Sequence, residues 1–409
     1  MKNLKLLVVA LVAMFGFIAC DKHECSDYDH SADLVGTWTC LQDGYAEALV
    51  IKADGSALST GVEDGEYWEN VAGNIVVKNG IATMTFEDGD NFEGHIDVIA
   101  GMAFSIYNED GERMTYNYCA NDLADEVVGM WVCTDGPTDT VNDMNIQTFD
   151  ENGNVTFTGY SELVDGFALK GEDTYKVIGD LMFHKLNAGN LIEGASEYLV
   201  NRLIYSPNST SMGDIMTFKA YYNENEMVMY WLRIKQSLDL TGKKYDYIKT
   251  FVTNVDGLDK DINFMGFEFN FAKMDGVKLD KMLKTLLFNV EFPDANTIKY
   301  ACHYNNEPMS LDAPIVVDGN KMTIKMSTKK AAYKDVDLYT FQDADCSQMH
   351  MYMPTYAFIN FFGNMQVTMM EQMGDLDLTN AAAVKAVFDS IDEAVKTINV
   401  SFVMEKAAK

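Results

Sequence analysis

From residue 33 to residue 121 apolar and polar positions alternate in short runs, the period of strands that turn one face inward. The runs predict about eight strands, at 37–41, 48–52, near Tyr67, 74–78, 82–87, 92–99, 102–107 and 113–119. Between them stand Asp54-Gly55, Asp64-Gly65, Asn79-Gly80, Asp88-Gly89 and Asp110-Gly111, pairs that readily take the positive φ angles of two-residue hairpin turns. Successive hairpins without a helical period make an antiparallel meander. About eight strands is the number at which such a sheet closes on itself and loses its edges.

The same plan returns with longer loops between residues 125 and 237, with strands at 131–133, 145–149, 155–160, 174–178, 181–186, 198–205, 214–222 and 227–235. A third unit starts near Asp239 and departs from it. Strands are predicted there at 245–252, 263–272, 289–292, 297–304, 315–317, 321–326 and 336–342, and helices near 279–287, 355–373 and 380–397. Pro354 opens the second helix and Gly374 ends it, while Thr379 is placed to cap the third, where Val384, Val387, Phe388, Ile391, Val395 and Ile398 recur at helical spacing. Residues 399–404 alternate as a closing strand. The expected fold is therefore mainly β, with tandem antiparallel meander barrels at 33–122 and 123–237 and a β-rich third unit, 238–409, carrying inserted α-helices.

Each unit opens on a related stretch. Gly36-Thr37-Trp38-Thr39-Cys40 is repeated as Gly129-Met130-Trp131-Val132-Cys133 and, degraded, as Gly242-Lys243-Lys244-Tyr245. Ahead of the first copy, residues 1–19 hold Lys2 and Lys5 followed by an apolar run, the pattern of a signal peptide. Phe17-Ile18-Ala19-Cys20 looks like a lipobox, whose cysteine is acylated, and residues 20–32 read as a polar tether. A plain signal peptide with a coincidental cysteine is the alternative. Several acyl chains on Cys20 would hold the chain on a membrane, since each buried methylene adds about 0.8 kcal/mol.

A lipobox followed by modules opening with Leu-Val-Gly-Thr-Trp, as residues 34–38 do, and then a meander with Asp-Gly hairpins, resembles the lipocalin-like domains of lipoproteins from Bacteroidetes. The likeness covers residues 33–237. It implies that Trp38 and Trp131 plug one end of their barrels, a place that Tyr245 takes in the third unit. It also implies an outer-membrane lipoprotein without enzymatic chemistry or a cofactor, facing either the periplasm or the outside.

Charge narrows the partners. The chain carries a formal −31, and loss of Lys2 and Lys5 with the leader takes it to −33. That field repels phosphate backbones, so nucleic acid is not expected as a partner. What is left is the membrane through the lipid on Cys20, and a small apolar or glycan ligand or an envelope protein. A purely structural lipoprotein with side-chain-filled barrels is the alternative, and an envelope hydrolase a more distant one.

Beyond Cys20, six cysteines allow disulfides, with Cys40 and Cys119 at the two ends of the first meander and Cys302 and Cys346 the pair of the third unit; buried thiols are the other reading. No zinc-protease helix, nucleophile elbow or phosphate loop is present, and the six histidines lack a recurring partner. The most suggestive stretch is Met349-His350-Met351-Tyr352-Met353. Its thioethers and the nearby Cys346 would suit copper(I), but strand alternation puts the three methionines on one face, as a core strand would, and no metal site is assigned. A ligand pocket is expected there instead, from Met349, Met351 and Met353 with Phe358, Phe362 and Met365 of the following helix.

Overall fold

The computed structural model describes residues 31–407, leaving out 43, 90, 108–112, 135–140, 162–165, 188–195, 211–212, 223–224, 260, 265–266, 274–275, 305–306 and 344–345. The signal peptide, Cys20 and the tether through residue 30 thus lie outside the described residues. Three closed eight-stranded antiparallel barrels follow one another along the chain. By contacts the chain divides into two compact units, 1–121 and 122–409, the second holding two of the barrels.

The first barrel runs from β1 (Gly36–Gln42) to β8 (Arg113–Cys119), each strand pairing with the next and β8 closing on β1. Of the five expected turns, Asp110-Gly111 lies outside the described residues, and at Asp54-Gly55 and Asp88-Gly89 only the glycine has positive φ. Asp64-Gly65 and Asn79-Gly80 take positive φ at both positions, and the flanking pairs Glu63 with Glu66 and Lys78 with Ile81 stand opposite each other. The second barrel runs from β9 (Gly129–Thr134) to β16 (Asn225–Ile234), which pairs back onto β9.

One structural unit heads each barrel. Trp38 and Trp131 are fully buried, and each indole Nε1 donates to a carbonyl four residues earlier, Leu34 at 2.6 Å and Val127 at 2.8 Å. The hydrogen bond satisfies the polar edge of a ring that would otherwise be costly to bury. Gly36 has φ +141°, and a Cβ there would come within 2.6 Å of the Tyr118 ring, so only glycine fits. Tyr245 fills the corresponding position of the third barrel, fully buried, its hydroxyl accepting from Gln342 Nε2 at 2.8 Å. All three residues expected as plugs are buried at the start of their barrels.

The third unit closes into a barrel as well, which the sequence did not predict. Its strands are β17 (Lys243–Gly257), β20 (Asn289–Asp294), β21 (Thr297–Tyr304), β22 (Glu307–Asp318), β23 (Lys321–Ile324), β24 (Val336–Gln342), β25 (Gln348–Met353) and β26 (Val395–Lys406). Two insertions interrupt the meander. Between β17 and β20 come a hairpin, β18 (Asp261–Phe264) and β19 (Phe267–Asn270), and helix α1 (Gly276–Thr285). Between β25 and β26 come α2 (Thr355–Met373) and α3 (Ala381–Ala394).

Several elements differ from the sequence expectation. The strand Ser56–Glu63 was not among those predicted, and the runs near Tyr67 and at 74–78 form one strand, Glu66–Lys78. The stretch 263–272 holds the β18–β19 hairpin rather than one strand, and β22 begins at Glu307 rather than 315. The cap of α3 is Asn380, whose side chain accepts from the Ala383 N–H, while Thr379 is held by Asp377. The helix ends at Ala394 rather than 397, because Val395 already belongs to the closing strand and pairs with Gly257. Helices α2 and α3 approach closely at Gly363, where a Cβ would collide with the Phe388 ring.

The second and third barrels share an apolar interface. Val132, Ile146, Ile215, Leu232 and Ile234 from the outer wall of one pack with Tyr339, Phe341 and Tyr352 from the outer wall of the other. This explains a pattern that alternation alone could not. Every residue of β25 is buried, its methionines inside the barrel and Tyr352 against the neighbour.

Candidate functional site

A cavity of about 460 Å³ lies inside the third barrel, beneath the inserted helices. Helix α1 supplies Leu279, Met282 and Leu283, and the turn after it Leu286, one apolar stripe at helical spacing. Helix α2 supplies Phe361, Phe362, Met365 and Met369, together with Asn364, Thr368 and Gln372. From the barrel wall come Tyr300 and Cys302 on β21, Met309 and Leu311 on β22, Val336 and Leu338 on β24, Met351 and Met353 on β25, and Phe402 on β26. No charged side chain is among the lining residues.

Of the six residues expected to form the pocket, Met351, Met353, Phe362 and Met365 line it. Met349 and Phe358 do not. Both are fully buried in the same core, Met349 opposite Gln342 toward the Tyr245 end and Phe358 against Phe362 at 4.2 Å between ring centroids. The contribution of α1 and of the β21–β22 ribbon was missed. The amphipathic spacing of 279–286 was a usable signal for the first. Nothing local distinguishes the second from any other alternating hairpin.

Apart from Ser310 and Gln372, which are exposed, the polar lining residues fall into two groups. Asn364 is spent on the backbone of Lys334, accepting from its N–H at 2.9 Å and donating to its carbonyl at 2.7 Å. Thr368 donates to the Asn364 carbonyl at 2.7 Å and lies 2.9 Å from the Tyr333 hydroxyl. These groups fix helix α2 to the 326–336 segment. Tyr300 and Cys302 are different. Neither has a hydrogen-bond partner among the described residues, Tyr300 touching Phe288 only as a stacked ring 5.8 Å away. Burial raises the pKa of both above the ordinary phenol and thiol values, so both are neutral at physiological pH.

The expected cysteine pairs do not form. The first sheet does close, but Cys119 stands opposite Thr37, three residues from Cys40 and so on the other face of β1. Cys302 is in the cavity wall, whereas Cys346 sits at the opposite end of the third barrel, its Sγ 3.3 Å from Lys235 Nζ. Neither geometry permits a bond.

Two polar clusters occupy the other barrels. In the first, Glu47 is buried and accepts from the hydroxyls of Tyr45, Tyr116 and Ser59, while Trp68 Nε1 donates to Ser59 Oγ at 2.7 Å. In the second, His184 lies 3.1 Å from Asp173 and stacks on Phe157, so this histidine does have a partner. Burial lowers its pKa, against the opposing pull of Asp173. Asp173 also accepts from the Asn187 N–H at 2.6 Å, which marks the pair as a wall contact. Among the described residues no three His, Cys, Asp or Glu side chains converge as a metal cluster, and no helix is long and apolar enough to cross a membrane.

No protein-family model matches the chain, and no curated protein does. Among solved structures it is similar to a transferrin-binding protein B double mutant from Haemophilus parasuis Hp5, at 10% identity over 89% of this chain and 66% of that one, with a TM-score of 0.25. The isotype 1 transferrin-binding protein B of serogroup B Neisseria meningitidis gives 8% identity, the same coverages and a TM-score of 0.22. A porin-like protein from Bacteroides uniformis ATCC 8492 gives 8% identity over 48% of this chain and 93% of that one, with a TM-score of 0.12. The chain thus spans about two thirds of the length of the transferrin-binding proteins, and likeness at these scores carries no argument about function.

Proposed function

We propose that this is a lipid-anchored protein of the cell envelope, held through Cys20, which acts without catalysis by binding a small apolar ligand in the third barrel. The observation that carries the reading is the cavity of about 460 Å³ with an uncharged, largely apolar lining. Its volume lies in the range of small-molecule sites. The headpieces around Trp38 and Trp131, each a buried indole behind a glycine, fit the lipocalin-like resemblance of the first two barrels and have structural work there. Two of the departures from the repeat, α1 and α2, line the cavity, so the unit that differs is the one equipped to bind.

Native mass spectrometry of the protein extracted from its own membrane tests this. A retained adduct of a few hundred daltons is expected, lost when Met353→Trp fills the cavity. A mass equal to protein plus lipid anchor, together with no uptake of the neutral dye N-phenyl-1-naphthylamine, would remove the reading.

A further inference from the structure

The walls of the cavity differ from its mouth. Val336, Leu338, Met351, Met353 and Phe402 form a buried apolar floor. At the other side Met309, Ser310 and Leu311 line the cavity and are also exposed, Met309 at 43% and Leu311 at 38%. Gln372, the last lining residue of α2, is exposed too. The cavity therefore opens between the C-terminal turn of α2 and the first half of β22.

That half of β22 stands at a gap in the wall. Residues 307–314 pair with β21, whereas β23 pairs only with Ile315 to Asp318, so among the described residues no strand covers the other edge of 307–313. Tyr300 stands directly opposite Leu311 in the β21–β22 ladder, and Cys302 opposite Met309. Residues directly opposite in an antiparallel pair point to the same side. Tyr300 is thus fixed beside the mouth, with its hydroxyl lacking a partner among the described residues.

Exposed apolar side chains extend the rim. Leu287, next to the lining residue Leu286, is 64% exposed, and Met373, next to Gln372, is 58% exposed. Each of the three segments that bound the opening, the turn after α1, the end of α2 and β22, presents an apolar side chain to the outside.

We infer that the ligand is a single-chain amphiphile, a molecule of the fatty-acid class whose alkyl chain lies on the methionine-bearing floor and whose one oxygen-bearing end group meets the Tyr300 hydroxyl at the mouth. This rests on the proposed binding role and names its ligand class. Four observations converge on it. The lining holds no charge that could neutralise an ion at depth, and burying an unpaired ion there would be prohibitive, so a polar end must stay at the opening. Asn364, Thr368 and Tyr333 are already engaged, which leaves Tyr300 as the phenol able to donate to a ligand oxygen. Methionine side chains adapt to a flexible chain with many conformers better than branched residues do. The apolar rim gives an alkyl chain a path inward that never exposes it fully to water.

The test uses the full mature protein and three probes, hexadecanoic acid, hexadecane and N-phenyl-1-naphthylamine. Hexadecanoic acid should displace the dye, and Tyr300→Phe, which keeps the stack on Phe288, should weaken the acid about fivefold more than it weakens the dye. Met353→Trp should abolish both. Dye binding that is lost in Met353→Trp but is indifferent to hexadecanoic acid, or acid affinity equal in Tyr300→Phe and wild type, overturns the amphiphile assignment while leaving an apolar binding site standing. Loss of all binding in the wild type removes both. Hexadecane displacing the dye as well as the acid does would overturn the role of the polar end.

Discussion

The guanidinium of Arg233 lies over the Trp131 ring at 4.7 Å, from the position directly across the β9–β16 ladder. The same register position opposite Trp38 is held by Tyr118, which meets the indole edge-on at 5.1 Å, and opposite Tyr245 by Lys406. Three barrels thus close on one geometric plan with three different side chains. Arg233 also donates to the Glu126 carbonyl, tying the last strand to the turn that precedes the plug.

Replacing Arg233 by Leu should therefore destabilise the second barrel by about 1–2 kcal/mol, the sum of a cation–π contact and an unsatisfied carbonyl. Denaturant unfolding followed by tryptophan fluorescence reads this, and Lys at the position should recover only part. No change in midpoint would show that the stacked guanidinium is ornamental.

Alkaline pH should destabilise the first barrel. Burial, reinforced by the Glu47 carboxylate, holds the Tyr45 and Tyr116 hydroxyls well above the ordinary phenol pKa. Their neutral forms are favoured in the folded state, so the stability they contribute is complete below about pH 10, where unfolded tyrosine titrates, and is lost as pH rises toward the folded values. Phenolate absorbance should show a late, unfolding-coupled component that Tyr116→Phe reduces.

Gly363→Ala should loosen the α2–α3 crossing, because the added methyl meets the Phe388 ring. Overpacking of this kind costs about 1–3 kcal/mol. Combining it with Phe388→Leu should restore part of the loss, since the smaller side chain vacates the contact. Thermal melts of the two single variants and the double variant decide it, and strict additivity would mean the two sites do not touch.

The second and third barrels should unfold together. Phe341 and Tyr352 seat the third barrel on Val132, Ile215 and Leu232 of the second. Phe341→Ser places a hydroxyl in that seam and should split one calorimetric transition of the 122–409 unit into two. A single transition persisting in the variant would show coupling carried elsewhere.

Cys302 and Cys346 should both alkylate as thiols after denaturation without reductant. Peptide mapping by mass spectrometry checks this, and a peptide linking the two would contradict the barrel geometry that separates them.

Much of this architecture is legible locally. Strand period, Asp-Gly and Asn-Gly turns and the repeated Gly-x-Trp stretch depend on neighbours within a few residues, and helix α2 begins and ends where Pro354 and Gly374 indicate. The inward face of Met349, Met351 and Met353 follows from alternation alone. The spacing of Val395 from Val387 and Ile391 fits a helix, yet its β-branched side chain and the long-range partner Gly257 place it in a strand.

By itself, then, the sequence determined an antiparallel β protein in three units, with an aromatic residue at the head of each and helices inserted in the third. Only the tertiary structure decided that the third unit closes, since β17 must find β20 across a hairpin and a helix, a pairing between distant residues that no local period encodes. The same holds for the cavity. It is bounded by α1, α2 and the β21–β22 ribbon, segments far apart along the chain that become one wall only when the barrel shuts. Tyr300 shows the difference most plainly. In sequence it is one aromatic of an alternating strand, and its place at the mouth comes from the strand opposite it and from the edge that β23 leaves uncovered.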